Sequence, residues 1–213
     1  MREPDPDTPP TGGPASASAR RIGRIVETEA YVGPADQASH ARFGETDRSR
    51  IMFGRPGLAY VYLVYGMYDC LNVVTEPVGR PTAVLVRAVE PLAGVDEMRA
   101  ARVEHARRVH RGWDADRLTT ERDRLRRLRD GLVASGPGAV AAAFSIDRSM
   151  TGLDLCDPGS VLRLEARPAD EATPDVRATR RIGIDYAGPP WVELPWRFVV
   201  AGHASASGPH SLR

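Results

Sequence analysis

The chain has no lysine: all 29 of its Lys/Arg positions are arginine. That excludes catalysis through a lysine Schiff base and a phosphate-binding loop built on lysine. Phosphate binding itself stays open, because the planar arginine fork serves it well. Cysteine is nearly as scarce. Cys70 and Cys156 lie far apart and outside any CxxC, so neither a disulfide framework nor a zinc knuckle is signalled. The five histidines (His40, His105, His110, His203 and His210) fall in no metal-ligand spacing. No apolar run approaches the roughly 18 residues of a membrane span. Acids near Met1 with no apolar segment behind them argue against a secretion signal. These absences predict a cytoplasmic protein with no metal, no cofactor and no membrane segment.

What is present suits one domain. The 213 residues are 42% hydrophobic and 27% charged, with a net charge of +1, enough to bury a core. Residues 1–20 and 203–213 are rich in Pro, Gly, Ala and Ser. They cannot bury enough surface to offset the entropy of ordering, so both are expected to be flexible tails around a domain at 21–202. Within it, 22–32 (IGRIVETEAYV) reads as a strand whose alternation puts Ile25, Glu27, Glu29 and Tyr31 on one face. Residues 35–56 read as a polar loop with Arg42, Arg48, Arg50 and Arg55. Residues 58–75 (LAYVYLVYGMYDCLNVVT) are dense in β-branched and aromatic side chains around Gly66, which predicts two strands joined by a turn. TAVLVRAV (82–89) reads as a buried strand with one charge, Arg87, which needs a partner on burial grounds alone.

Residues 94–130 are helical in character, interrupted near Gly112. Over 99–130 eleven arginines face six acids, a surplus suited either to a solvated face or to a polyanion. A Gly-Pro-Gly turn at 136–138 opens a short Ala-rich helix at 139–145, and strands are expected at 160–166 and 197–201.

The most unusual local feature is aromatic. Tyr60, Tyr62, Tyr65 and Tyr68 are four of the six tyrosines, packed into nine residues. Strand propensity alone accounts for tyrosines in a half-buried hairpin, but their company is distinctive. VETEAYVGPADQASH (26–40), RSRIMFGRPGLAYVYLVYGMYDCLNVV (48–74), LVRAVEPLAG (85–94), GPG (136–138) and RIGIDYAG (181–188) follow in one order. In these motifs the chain resembles the alkyladenine (3-methyladenine) DNA glycosylase family over about 21–202.

The resemblance implies base flipping from duplex DNA followed by hydrolysis of the N-glycosidic bond. Tyr65 matches the wedge that enters the minor groove. Tyr31, His40 and Tyr62 match residues that stack on the flipped base, where a cationic purine adds a cation–π term. Asn72 matches the residue that clashes with the amino group of normal guanine. Glu29 matches the general base, and Arg87 an arginine that helps hold the water and the DNA backbone. Glu27, two residues earlier on the same face, is not at the matching position and reads as a solvated or Arg-paired acid. The expected fold is α/β (α+β): a single compact domain with a mostly antiparallel curved sheet, surrounding helices and a protruding β-hairpin. The expected partners are double-stranded DNA containing damaged purines and water as cosubstrate, with the chain a monomer.

Two departures bear on this. In the family a helix and a strand usually precede the strand matched by GRIVETEAY, and here the Pro/Ala/Ser stretch stands there. That opens the alternative of a catalytically weak or inactive damaged-DNA-binding protein, since losing a paired strand exposes an edge. The position after Gly-Pro-Gly, often basic in the family, is Ala139, which removes one phosphate contact and lowers the salt slope of binding by about 0.9. The missing lysines acquire a meaning as well. Glycosylases that also nick the strand generally use an amine, most often lysine, so the expected reaction is monofunctional and leaves an intact abasic site.

Overall fold

The computed structural model describes residues 20–208, so the expected tail over 1–20 lies, except for Arg20, outside the described residues, as do 209–213. Six strands form one antiparallel sheet. They are β1 (Ile22–Val32), β2 (Ala59–Val64), β3 (Tyr68–Val74), β4 (Thr82–Ala93), β5 (Val176–Thr179) and β6 (Arg197–Val200), in the spatial order β2-β3-β4-β1-β6-β5. Three helices accompany it: α1 (Val95–Val109), α2 (Ala115–Arg127) and α3 (Pro137–Phe144).

The helices form where the sequence supports their ends. Asp96 and Glu97 in the first turn of α1, and Arg107 and Arg108 in its last, complement the helix dipole. The carboxylate of Asp114 accepts the Arg117 N–H and caps α2. Pro137 opens α3, where its missing N–H costs nothing. Met98 of α1 and Val140, Ala141 and Ala143 of α3 pack with Val61, Leu71 and Val86 into the main core. A second cluster brings Ala41 and Met52, from the 35–56 loop, against Tyr60, Val74 and Ala83 of the sheet. That loop is folded by short 3-10 turns at His40–Phe43 and Arg50–Phe53.

Strand alternation and register together fix the site. Tyr60 of β2 lies opposite Asn72 of β3, Asn72 opposite Leu85 of β4, Leu85 opposite Glu29 of β1, and Glu29 opposite Arg197 of β6. One row of cross-strand partners therefore runs across five strands. Tyr62 opposite Cys70, and Val74–Ala83–Tyr31, make the neighbouring rows. β1 and β4 are irregular next to these rows. Glu27 pairs with Ala88 but Thr28 with Val86, so Arg87 is the extra residue of a bulge. A bulge re-aims its side chain, and here it puts Arg87 against the β1 carboxylates. β1 is not an edge at this point, because Glu27–Glu29 pair with Arg197–Val199 of β6. The protruding hairpin is β2–β3. Its tip residue Tyr65 is 86% exposed and holds a left-handed φ of 52°, followed by Gly66 at 69°.

One expectation fails. No strand forms at 160–166: Val161 is 87% exposed, and the backbone bonds of the segment are a turn from the Ser160 N–H to the Asp157 carbonyl and the Leu164 N–H to the Leu155 carbonyl. No neighbouring strand offers the segment a ladder. The stretch 203–208, expected to begin a flexible tail, is packed. Ser205, Ala206 and Ser207 are buried, held by polar bonds that a hydrophobicity argument does not count. None of the three helices is long and apolar enough to cross a membrane among the described residues.

Candidate active site

A cavity of about 490 Å³ opens beside the hairpin. Tyr31, His40 and Tyr62 line it together, with Tyr60, Cys70, Asn72, Arg87 and Tyr186, and Tyr65 stands at its margin. The side chains arrive on several elements: Tyr31 from β1, His40 from the first 3-10 turn, Tyr60 and Tyr62 from β2, Cys70 and Asn72 from β3, Arg87 from β4. The His40 ring meets Tyr62 edge-on at 4.6 Å, and its Nδ1 lies 2.7 Å from the Tyr60 hydroxyl. Burial, and then the nearby Arg48 and Arg42 charges, lower the His40 pKa to about 4, so the ring is neutral near pH 7. Arg48 sits over Tyr62 at 5.3 Å, and Arg181 over Tyr31 at 4.9 Å. Burial, and then the Glu29 charge, push the Tyr31 phenol well above its ordinary value, which keeps it a donor. Burial likewise raises Tyr62 and takes the Cys70 thiol up to about 11. Asn72 is buried, and its amide nitrogen donates to the Tyr60 and Cys70 carbonyls.

Glu29 is fully buried behind this wall. Its Oε1 accepts the Ile182 N–H at 2.7 Å and lies 3.2 Å from the Arg87 guanidinium, while its Oε2 accepts the Tyr31 hydroxyl at 2.9 Å. All three donors line the cavity. A carboxylate held by three donors at the wall of an aromatic pocket can stabilise developing positive charge and accept a proton.

Glu27 has a different environment. Its Oε1 accepts from Arg87 Nε (2.8 Å), Arg197 Nε (2.7 Å) and Ser207 Oγ (2.9 Å), and its Oε2 accepts the Ser207 N–H. Burial pushes its pKa up, but the Arg197 and Ser207 hydrogen bonds and the two arginine charges outweigh it and hold the carboxyl below its ordinary value. This acid is Arg-paired, one of the two readings its position allowed. For Arg87, burial opposes the charge, and Glu29 and Glu27 outweigh it.

The structure thus brings Arg87, Tyr31, His40, Tyr62 and Asn72 to one cavity, with Glu29 buried behind its wall and Tyr65 projecting at its rim. Sequence reasoning missed Arg197, Arg181 with its buried partner Asp36, and Ser207. Arg197 carried a legible signal: a lone charge in the apolar strand RFVV, as Arg87 is in TAVLVRAV. Ser207 carried none.

The sheet face thus carries a half-open aromatic cavity with a carboxylate–arginine pair behind its wall and an exposed tyrosine at its rim. Comparison with known proteins is specific. The model of the methylpurine-DNA glycosylase (MPG) family matches residues 15–204. A Methanocella arvoryzae protein provisionally named 3-methyladenine DNA glycosylase is 46% identical over 175 residues, covering 82% of this chain and 74% of that protein. A Bacillus cereus (strain G9842) protein with the same provisional name is 41% identical over 192 residues, covering 88% and 84%. The chain belongs to the methylpurine-DNA glycosylase family.

Proposed function

We propose that this chain is a monofunctional DNA glycosylase of base excision repair. It flips alkylated or deaminated purines of the 3-methyladenine, 7-methylguanine, hypoxanthine and ethenoadenine class from duplex DNA and hydrolyses their N-glycosidic bond. The observation that carries the reading is the aromatic cavity whose wall residues hold Glu29.

In this mechanism Tyr65 enters the stack from the minor groove and fills the gap left by the base. The base slides between Tyr31, His40 and Tyr62, and Asn72 disfavours the exocyclic amino group of guanine. As the C1′–N bond lengthens, the base departs with the bonding pair and positive charge gathers on the sugar. The Glu29 carboxylate stabilises that charge. A water placed by Glu29 and Arg87 forms the new C1′–O bond, and its proton passes to Glu29. A cationic alkylpurine departs as the neutral base, a neutral lesion departs as an anion that takes up a proton from solvent, and an abasic site remains. The lack of lysine supports hydrolysis without strand cleavage.

The test is release of free base from duplexes carrying one lesion of each kind. Release from at least one of them is expected. Tight binding to the same duplexes without release would favour the alternative of an inactive damaged-DNA-binding protein.

A further inference from the structure

Ser207 commits every polar group it has to the buried charges around the catalytic pair. Its N–H donates to Glu27 Oε2 and its carbonyl accepts from Arg197 (3.0 Å). Its hydroxyl donates to Glu27 Oε1 (2.9 Å) and accepts from Arg87 (3.3 Å). The residue is buried and lies in a coil segment, held by no helix or strand. The bulge leaves Arg87 without a partner in the β1–β4 register. Its guanidinium direction is therefore set by its partners. Nε goes to Glu27 and one terminal nitrogen to Ser207, which leaves the other 3.2 Å from Glu29.

We propose that Ser207, from the segment that follows β6, is a positioning residue for the reaction: it holds Glu27 and Arg87 so that Arg87 stays aimed at Glu29. This rests on the glycosylase reading above. Ser207 touches neither base nor sugar in this account. It acts through Arg87, and a small misplacement of a catalytic group lowers the rate far more than it lowers binding.

The experiment compares wild type, Ser207→Ala and Ser207→Thr on a lesion duplex, by single-turnover base release at saturating enzyme and, separately, by the Kd for that duplex. Ser207→Ala removes the hydroxyl and keeps the amide bond. It is expected to slow release by about tenfold to a hundredfold while Kd stays within about twofold, and Ser207→Thr is expected to restore most of the rate. If Ser207→Ala does not fold, Ser207→Cys, similar in size with a weaker donor, is expected to show the same split to a smaller degree. A folded Ala or Cys variant releasing base at the wild-type rate overturns the proposal. So does a fall in rate matched by an equal loss of binding, or a Thr variant as slow as Ala. If wild type itself releases no base, the glycosylase reading fails and takes the proposal with it; an active wild type beside an equally active variant sinks only the role of Ser207.

Discussion

At the residue scale, two glutamates two positions apart on one strand sit in different environments because their partners differ. Glu27 is saturated: two arginines and both donors of Ser207 fill its oxygens. Glu29 is held by three groups that themselves face the cavity. Alternation put both on one face and could not separate them; the resemblance favoured Glu29, and the two differ in their hydrogen-bond partners. Glu27→Gln removes the carboxylate charge that Arg87 and Arg197 share and should cost about 3–5 kcal/mol of stability, measured by chemical denaturation. A loss below about 1 kcal/mol would contradict the buried-network account. His40 supplies a pH test. Its pKa falls from 6.5 to about 4 on folding, chiefly through burial. Over that window the unfolded chain binds more protons, so stability is full above about pH 6.5 and declines as pH falls toward 4. Glu27, also lowered, adds its own loss only below its ordinary value of 4.5. Stability measured by denaturation should therefore fall between about pH 7 and about pH 5 in wild type and fall less in His40→Gln. Identical slopes would remove burial of a neutral histidine as the cause.

At the scale of elements, the hairpin carries the lesion-recognition hypothesis. Tyr65 sits at a left-handed φ and is 86% exposed, so its ring does little for the fold. Tyr65→Ala should change stability by no more than about 0.5 kcal/mol yet weaken lesion-duplex binding and slow base release. Unchanged release would end the wedge role. The elements legible in the sequence are those whose pattern is complete within the segment: β1, the tyrosine hairpin, the two helices broken before Asp114, and the Ala-rich α3. The sequence missed β5, an edge strand of four mostly exposed residues whose pairing depends entirely on β6. The segment at 160–166 makes no strand because no neighbouring strand pairs with it. Ser207 was illegible because polar, small residues look alike whether they are solvated or tied to buried charge.

For the whole molecule, charge and composition define what the chemistry can be. The arginine surplus lies along α1, α2 and the turn after them, and a DNA complex held by arginine alone should weaken steeply with salt. With no lysine, borohydride should trap no covalent enzyme–DNA adduct during turnover; a trapped adduct would mean an amine attacks the sugar and would refute hydrolysis by water. The central claim is that Glu29 activates that water. Its most direct test is single-turnover base release from a lesion duplex by wild type and Glu29→Gln, with binding measured in parallel. The account predicts a loss of release of at least about a hundredfold, with lesion binding retained. A Glu29→Gln enzyme that releases base at the wild-type rate would contradict it.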